Sequence, residues 1–422
     1  MKRYKSYKPS GISWIGEIPS HWEQSTLRKF LTLFSEKGHG DKQLLSVTRE
    51  FGVIVRNTED KEENHNYIPD DLKGYKLVKQ GQFVVNKMKS WQGSYGVSDY
   101  EGIVSPAYYV CDLNFQYKPY FSLAIRSKAY IPFFSQMSKG IRVDQWDLLT
   151  YALKSIPFIF PPIEEQKKIV EYLSSKTSLI DAQQSAREKE IRLLEELKQA
   201  EIANVVTRGL NPNVPMKDSG IPWIGKIPSH WEVRRNKYLF KEEDEKNLDL
   251  SFQLLTFSRK KGIIPFSEVN EKEPSASDLN NYKVIRQGQL LENRMQAWSG
   301  MFAKSEIDGC VSPDYSVFSP TSEDVCVDFF AHLFRTNQYI AHWANLSRGV
   351  GNGFNRLYTN QFHSVYALFP PIEEQRAIVE YIERKNKAID DMIANLRAEI
   401  DFLTEYKQRL IADAVTGQIK ID

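Results

Sequence analysis

The sequence predicts an α+β protein made of two tandem repeats, each an α+β module with a curved β-sheet followed by a long helix. The main observation is the repeat itself: residues 10–23 return as residues 219–232, and the Pro-Pro-Ile-Glu-Glu-Gln stretch at 161–166 returns at 370–375. Both matches have an offset of 209 (219 − 10 and 370 − 161). Two copies of one fold imply a pseudo-twofold molecule, and such proteins commonly act on bipartite objects, of which duplex DNA is the most common.

Each repeat is predicted to begin with an aromatic-rich module, which runs from about Trp22 to Phe160 in the first copy and from about Trp231 to Phe369 in the second. Short runs at 82–85, 102–105 and 108–110 have the β-branched and aromatic composition of strands. A Pro-Pro pair then introduces a helix, because the first helical turn needs no donated amide hydrogens.

A long helix follows each module. No Pro or Gly occurs from Glu164 to about Val206 or from Glu373 to about Thr416, and roughly 45 helical residues rise about 65 Å, more than one globular core needs. In the second helix a seven-residue repeat, typical of a coiled coil, comprises Ile382, Ile389, Leu396, Leu403 and Leu410. The matching positions of the first helix are Leu173, Ile180, Arg187, Leu194 and Glu201, with Ile169, Ile191, Leu197, Ile202 and Val205 widening the apolar stripe.

These patterns predict that the two helices pair as an antiparallel coiled coil with the modules at opposite ends of a rod, although Arg187 and Glu201 interrupt the seam. The alternative is that each helix docks on its own module. The predicted domains are a first module at 1–160, a first long helix at 161–208, a connector at 209–221, a second module at 222–369 and a second long helix at 370–422.

The composition narrows the functional classes. The formal charge of +2, from 56 Lys and Arg against 54 Asp and Glu, is too balanced to indicate a polyanion partner on its own. Three cysteines without metal-ligand spacing suit a reducing compartment. No long apolar run or leader precedes the first repeat, so we expect a soluble cytoplasmic protein that does not enter a membrane.

Two pairs of loops carry the side chains that suit DNA. In the first pair, which follows a predicted strand in each copy, Lys or Arg suits phosphate or guanine and Gln296 suits adenine. The candidate DNA-binding residues of this pair are Lys87, Lys89 and Trp91 in the first copy and Arg294, Gln296 and Trp298 in the second. An ordinary solvated turn explains the same residues about equally well.

The second pair of loops is rich in glycine, which lets the backbone approach a phosphate, while Arg and Asn offer forked hydrogen-bonding groups to base edges. Its candidates are Lys139 and Arg142 in the first copy and Arg348, Asn352, Asn355 and Arg356 in the second. The alternative is a flexible turn before the short helix that leads to the Pro-Pro element.

No motif in the sequence predicts catalysis or a metal site. Residues 220–226 have the Gly-x4-Gly-Lys spacing of a P-loop, but Ile227 replaces the Ser or Thr that holds magnesium, and the first copy has Glu17 in place of the lysine. The Phe-Pro-Pro-Ile stretches lack the polar first residue and the aromatic last residue of an adenine methyltransferase motif. The seven histidines have no metal-binding spacing. We therefore expect a chain that is non-catalytic by itself.

The full combination resembles the specificity subunit of type I restriction-modification enzymes. The resemblance rests on two repeats, each with Ser-Gly-Ile-x-Trp-Ile-Gly-x-Ile-Pro-Ser-His-Trp, a variable module, the Pro-Pro-Ile-Glu-Glu-Gln element and a long helix. It covers essentially the whole chain, and the motifs are specific only when taken together.

The resemblance implies that each module is a target recognition domain that reads one half of an asymmetric bipartite site in double-stranded DNA. The helices would set the unread spacer and dock two methyltransferase subunits, and two ATP-dependent translocase-nuclease subunits would complete a restriction complex in a bacterial or archaeal host. S-adenosylmethionine, ATP and Mg²⁺ would belong to those partners. Two other classes stay open: a coiled-coil scaffold that binds proteins but not DNA, and an enzyme with an unrecognised site.

Overall fold

The computed structural model describes residues 2–57, 68–69, 71–140, 146–248, 251–259, 261–269, 276–349 and 355–421, with only the backbone of residues 276–278 and 348. Within these residues the helices are α1 (Lys118–Arg126), α2 (Ile131–Met137), α3 (Thr150–Ser155), α4 (Ile163–Arg208), α5 (Val327–Phe334), α6 (Asn337–Leu346), α7 (Thr359–Ser364) and α8 (Ile372–Val415). The chain forms two compact units, residues 1–187 with 397–422 and residues 188–396.

The strands of the first unit are short. They are β1 (Tyr7–Ile12), β2 (Gly16–Pro19), β3 (Glu23–Thr26), β4 (Leu31–Phe34), β5 (Leu45–Thr48), β6 (Gly52–Val55), β7 (Lys76–Val78), β8 (Phe83–Val85), β9 (Tyr95–Val97), β10 (Gly102–Val104), β11 (Tyr109–Leu113), β12 (Ser138–Lys139), β13 (Asp147–Leu148) and β14 (Pro157–Phe160). Four of them form an antiparallel sheet in the order β4-β11-β8-β9.

The central strand β8 of this sheet is buried on both faces. Successive side chains of a strand point to opposite faces, so Phe83 and Val85 enter the main core, while Val84 enters a smaller core with Leu45 and Val104. The main core contains many aromatic residues, among them Tyr95, which stacks on Phe134 of α2 with ring centroids 3.7 Å apart. The three strand runs predicted from composition correspond to β8, β10 and β11.

The second unit repeats this plan. Its strands are β15 (Met216–Asp218), β16 (Lys226–Pro228), β17 (Glu232–Arg235), β18 (Phe240–Glu243), β19 (Leu255–Ser258), β20 (Gly262–Pro265), β21 (Lys283–Ile285), β22 (Leu290–Asn293), β23 (Phe302–Lys304), β24 (Gly309–Val311), β25 (Tyr315–Pro320), β26 (Arg348–Gly349), β27 (Asn355–Arg356) and β28 (Tyr366–Phe369). The order β18-β25-β22-β23 is that of the first sheet. The α+β prediction is confirmed.

The two long helices pack together within each unit. In the first unit Gln184 of α4 donates to Thr404 of α8 at 2.6 Å, and Asp181 pairs with Lys407. Residue numbers fall along one helix as they rise along the other, so the pairing is antiparallel, as predicted. In the second unit Lys198 pairs with Asp390 at 2.7 Å.

Burial varies along the predicted seam. Leu173, Ile180, Ile382, Ile389 and Leu410 are buried, whereas Leu194, Leu396 and Leu403 are half-buried. The polar interruptions have partners across the helix pair: Arg187 pairs with Glu399 at 3.0 Å, and Tyr381 donates to Glu201. Leu197 was expected to widen the stripe but is 54% exposed.

Each module core also includes the end of a helix from the other repeat. Leu410, Ala414 and Val415 of α8 lie in the main core of the first unit, where the Tyr120 hydroxyl donates to the carbonyl of Val415 at 3.2 Å. Val205 and Val206 of α4 lie in the equivalent core of the second unit. The start of each helix lies in the core of its own module, with Leu173 of α4 in the first unit and Ile382 of α8 in the second, so docking of a helix on its own module occurs together with helix pairing.

We predict that Leu410→Ala lowers the free energy of unfolding by about 2–5 kcal/mol, because it opens a cavity in the core of the first unit. The matched control is Phe402→Ala on the same helix, whose side chain is 66% exposed and whose loss should change stability by less than about 0.5 kcal/mol. Urea unfolding followed by circular dichroism measures both. Equal effects of the two variants would contradict the packing of α8 against the first module.

Candidate nucleic-acid interface

The two repeated motifs meet at one polar junction in each unit. In the first unit the His21 ring lies 2.8 Å from Glu165, and the Trp22 indole donates to the same carboxylate at 3.2 Å. In the second unit His230 and Trp231 contact Glu374 at 2.7 and 2.9 Å. The Ser-His-Trp and Pro-Pro-Ile-Glu-Glu-Gln motifs are thus two parts of one joint between a module and its helix.

The candidate loops of the first module lie side by side. The loop at 86–94 contacts the β12–β13 hairpin: the Leu148 amide donates to the Lys87 carbonyl at 3.0 Å, and the Lys87 ammonium pairs with Asp147 at 2.9 Å. The rings of Trp91 and Trp146 are 5.4 Å apart. Together, loop 86–94 and the described residues of the β12–β13 hairpin form what we call the first recognition surface.

The structure brings together four of the five candidates of the first module. Lys89 and Lys139 are exposed on the first recognition surface, while Lys87 and Trp91 are half-buried. Arg142 lies outside the described residues. Trp146 was missed, because its relation to Trp91 depends on a contact across more than fifty residues.

The second module has the equivalent surface, formed by loop 293–300 and the β26–β27 hairpin, which we call the second recognition surface. The Leu357 amide donates to the Arg294 carbonyl at 3.1 Å, the counterpart of the Leu148–Lys87 contact. Gln296, Trp298 and Asn355 are exposed. Arg356 pairs with Asp314 and donates to the sulfur of Met295.

Two candidates of this surface are described only in part or not at all. Arg348 lies on β26, opposite Arg356, but its side chain is outside the described residues, as is all of Asn352. The Arg294 side chain is held by residues of neighbouring strands. Its guanidinium donates to Ser316 at 2.7 Å and pairs with Glu242 at 3.3 Å.

The two surfaces differ in the charges beneath them. Glu292 of β22 is completely buried, and neither carboxylate oxygen has a hydrogen-bond partner among the described residues. Burial raises the pKa of Glu292 to about 8, opposed by the positive charge of Arg294. Valine occupies the equivalent position of the first module, Val85, so only the second module has an ionisable group here.

We predict that Glu292→Gln stabilises the protein at pH 7–8 by on the order of 3 kcal/mol relative to its effect at pH 4.5. The unfolded carboxyl loses its proton near pH 4.5 while the folded one keeps it to about pH 8, so the unfolded state binds fewer protons across this window. Stability of the wild type therefore falls as pH rises from 4.5 to 8. Chemical denaturation at several pH values measures the difference, and parallel pH profiles of the two proteins would refute the assignment.

Within the described part of the chain, no helix combines the length and apolarity needed to cross a bilayer. Among the same residues, no group of three His, Cys, Asp or Glu side chains is arranged to hold a metal ion.

Several known proteins are similar to this chain in sequence. Residues 19–193 match the family model described as type I restriction modification DNA specificity domain. The putative type I restriction enzyme MjaX specificity subunit of Methanocaldococcus jannaschii is 24% identical over 434 aligned residues, covering 96% of each chain. The EcoKI specificity subunit of Escherichia coli K12 is 21% identical, covering 70% of this chain and 64% of its own.

Solved structures show the same fold. A chain from a study of complex assembly and conformational transition of the type I R-M system matches with a TM-score of 0.64 at 15% identity, covering 95% of this chain and 99% of the other. The HsdS subunit from Thermoanaerobacter tengcongensis matches with a TM-score of 0.51 at 15% identity, covering 95% and 98%.

The fold and the repeat define a two-module protein in which each module is followed by a long helix. Residues 19–193 match the type I restriction modification DNA specificity domain, and over most of its length the chain is similar to type I restriction enzyme specificity subunits.

Proposed function

We propose that this chain is a DNA specificity subunit and that each of its modules reads one half of an asymmetric bipartite site in double-stranded DNA. The observation that carries the proposal is the pair of recognition surfaces, which have equivalent backbone contacts but different side chains. Two modules that share a backbone arrangement but present different side chains suit two different half-sites. The domain boundaries predicted from the sequence, with modules at 1–160 and 222–369, belong to this proposal.

The chemistry of the two surfaces fits different contacts. Exposed Lys89 and Lys139 suit phosphates or guanine edges in the first half-site. Gln296 and Asn355 are exposed. Each has a side-chain amide that can donate one hydrogen bond to an adenine edge and accept another from it. Lysine contacts with phosphate make affinity fall as salt concentration rises.

The long helices set the unread gap between the half-sites in this proposal. They contain 46 and 44 residues, which corresponds to a length of about 65–70 Å at 1.5 Å per residue. A helix paired along its length is stiffer than a loop, so it suits a fixed spacing.

The same helices dock two methyltransferase subunits, and two translocase-nuclease subunits complete the complex in the bacterial or archaeal cytoplasm. S-adenosylmethionine, ATP and Mg²⁺ are bound by those partners. Support comes from large apolar side chains that the helices leave exposed, because a partner that covers them removes apolar surface from water. They are Leu179, Leu193, Leu197, Met392 and Phe402.

We predict that coexpression with the modification subunit produces adenine methylation at a bipartite motif, mapped by single-molecule sequencing of genomic DNA. Lys89→Ala with Lys139→Ala should lower methylation or relax preference in one half-motif only, by roughly tenfold or more. Gln296→Ala with Asn355→Ala should affect only the other half. Lys128→Ala, which removes an exposed lysine between α1 and α2, is the control and should change neither.

Two outcomes of these experiments would contradict the proposal. If no motif depends on this chain while the modification subunit is bound and active, DNA reading fails and the protein scaffold becomes the better function. Methyl transfer or DNA cleavage by the purified chain alone would instead favour an enzyme.

We predict that Leu179→Asp with Phe402→Asp prevents copurification of the modification subunit while leaving thermal unfolding of the chain nearly unchanged, because both side chains are exposed. Asp401→Ala, adjacent to Phe402, is the matched control. Pull-down from coexpressing cells measures the loss. Undiminished copurification of the double variant would exclude this part of the helices as the docking site.

A further inference from the structure

The β5–β6 hairpin of the first module has a tip that is fixed from inside the protein. Arg126 of α1 donates to the carbonyl of Glu50 at 2.7 Å, to that of Arg49 at 3.2 Å and to that of Tyr95 at 2.6 Å. One guanidinium therefore binds three backbone carbonyls. Because these carbonyls belong to two different segments, Arg126 ties the tip to the start of β9.

The turn itself adds further constraints. The Phe51 amide donates to the Thr48 hydroxyl at 3.1 Å. Gly52 has φ +72°, a conformation that favours glycine, and a Cβ there would lie 2.8 Å from the Arg126 guanidinium and would displace it. The tip is thus held in one conformation, yet it presents Phe51 with 73% of its surface exposed. Packing of this module gives no reason for a large apolar side chain at that position.

The tip lies beside the first recognition surface. Tyr95, whose carbonyl shares Arg126 with the tip, directly follows loop 86–94. A Cβ on Gly96 would lie 3.4 Å from the Cα of Gly52, so β6 and β9 touch where the tip begins. The hairpin tip is therefore joined to β9, the strand into which loop 86–94 continues.

The second module has an equivalent turn that presents a different exposed side chain. The Lys261 amide donates to the Ser258 hydroxyl at 3.3 Å, Gly262 has φ +76°, and Arg335, which directly follows α5, donates to the carbonyl of Arg259 at 3.4 Å. Lys261 stands where the first module has Phe51; its side chain is 66% exposed, and its ammonium lies 3.5 Å from the Glu268 carboxylate. Residue 260 lies outside the described residues. A fixed turn with an interchangeable exposed residue is the same pattern as in the recognition surfaces.

We propose that these hairpin tips are a second DNA contact in each module, with Phe51 touching bases of one half-site and Lys261 a phosphate of the other. The inference rests on the proposed DNA reading and adds a site to it. An exposed Phe can contact the methyl group of thymine or enter between base pairs, whereas an exposed Lys neutralises a phosphate without base preference. Arg126 and Arg335 act as positioning residues.

The test uses the complex of this chain with its modification subunit and duplex DNA carrying the motif defined by methylation mapping. Fluorescence anisotropy at several salt concentrations gives affinity and its salt dependence. Phe51→Ala should weaken cognate binding roughly tenfold, with no change in salt slope or in binding of unrelated DNA, and should relax the methylated motif in one half only. Lys261→Ala should reduce the salt slope by about 1 and leave base preference unchanged.

Two controls separate the possible failures. Tyr238→Ala removes an aromatic residue that is 65% exposed on a single-turn helix and belongs to neither hairpin, and should have no effect. Lys89→Ala tests the recognition surface itself. If Lys89→Ala weakens binding but Phe51→Ala and Lys261→Ala do not, the hairpin inference is wrong and the proposed function stands. If none of the three alters binding, the hairpin inference and the role of Lys89 are both wrong, while the methylated motif used in the test still supports DNA reading by this chain.

Discussion

Burial of a helix end from the opposite repeat is the constraint on which both modules depend. The core of the first unit includes Leu410 and Val415 from the last turns of α8, and that of the second includes Val206 from the last turns of α4. Each such side chain contributes about 1.5–3 kcal/mol on burial, which is a large share of the net stability of a domain. Neither helix can end early or run parallel to the other without opening a core. The length and the antiparallel direction of the helices therefore follow from the packing of the modules.

The glutamates in the first turns of the helices fix where each helix leaves its own module. Glu165 and Glu374 each accept from a histidine and a tryptophan of the module, and a carboxylate near a helix N-terminus is favoured by the helix dipole. The adjacent glutamines add a contact to the Pro-Pro turn: Gln166 and Gln375 each donate to a proline carbonyl at 2.8 Å. The repeated motifs are thus accounted for by structure, which agrees with reading the histidines as non-catalytic.

Local patterns made the long helices predictable. The segments free of Pro and Gly agree with α4 and α8 to within about two residues at each end, because helix formation and termination depend on neighbouring residues. The sheet order and the partners of Arg187 and Glu201 were not predictable, since they join residues far apart in the chain. Leu197 shows the limit of periodicity: it lies near the apolar stripe, but the stripe is wider than the partner helix covers.

The sequence indicated the loops that form the candidate surfaces, but not which other segments lie beside those loops. Comparing the repeats singled out Lys89 and Gln296, yet the neighbours of these loops come from hairpins more than fifty residues away. Trp146 and the fixed tip that carries Phe51 were missed for the same reason. Glycine at 52 was the available signal, but a single glycine does not reveal which buried arginine fills the space beside it.

The way the loops are held explains how two similar modules can differ in chemistry. The key contacts use main-chain atoms: Leu148 with Lys87, and Leu357 with Arg294. A side chain at such a position can change without moving the loop, because its backbone hydrogen bond does not depend on residue type. Only the residues packed beneath the loop must differ between the modules. Arg294 pairs with Glu242, and the position equivalent to Glu242 in the first module is Leu33. Under the proposed function, this separation of loop geometry from side-chain chemistry is what lets one fold read two unlike half-sites.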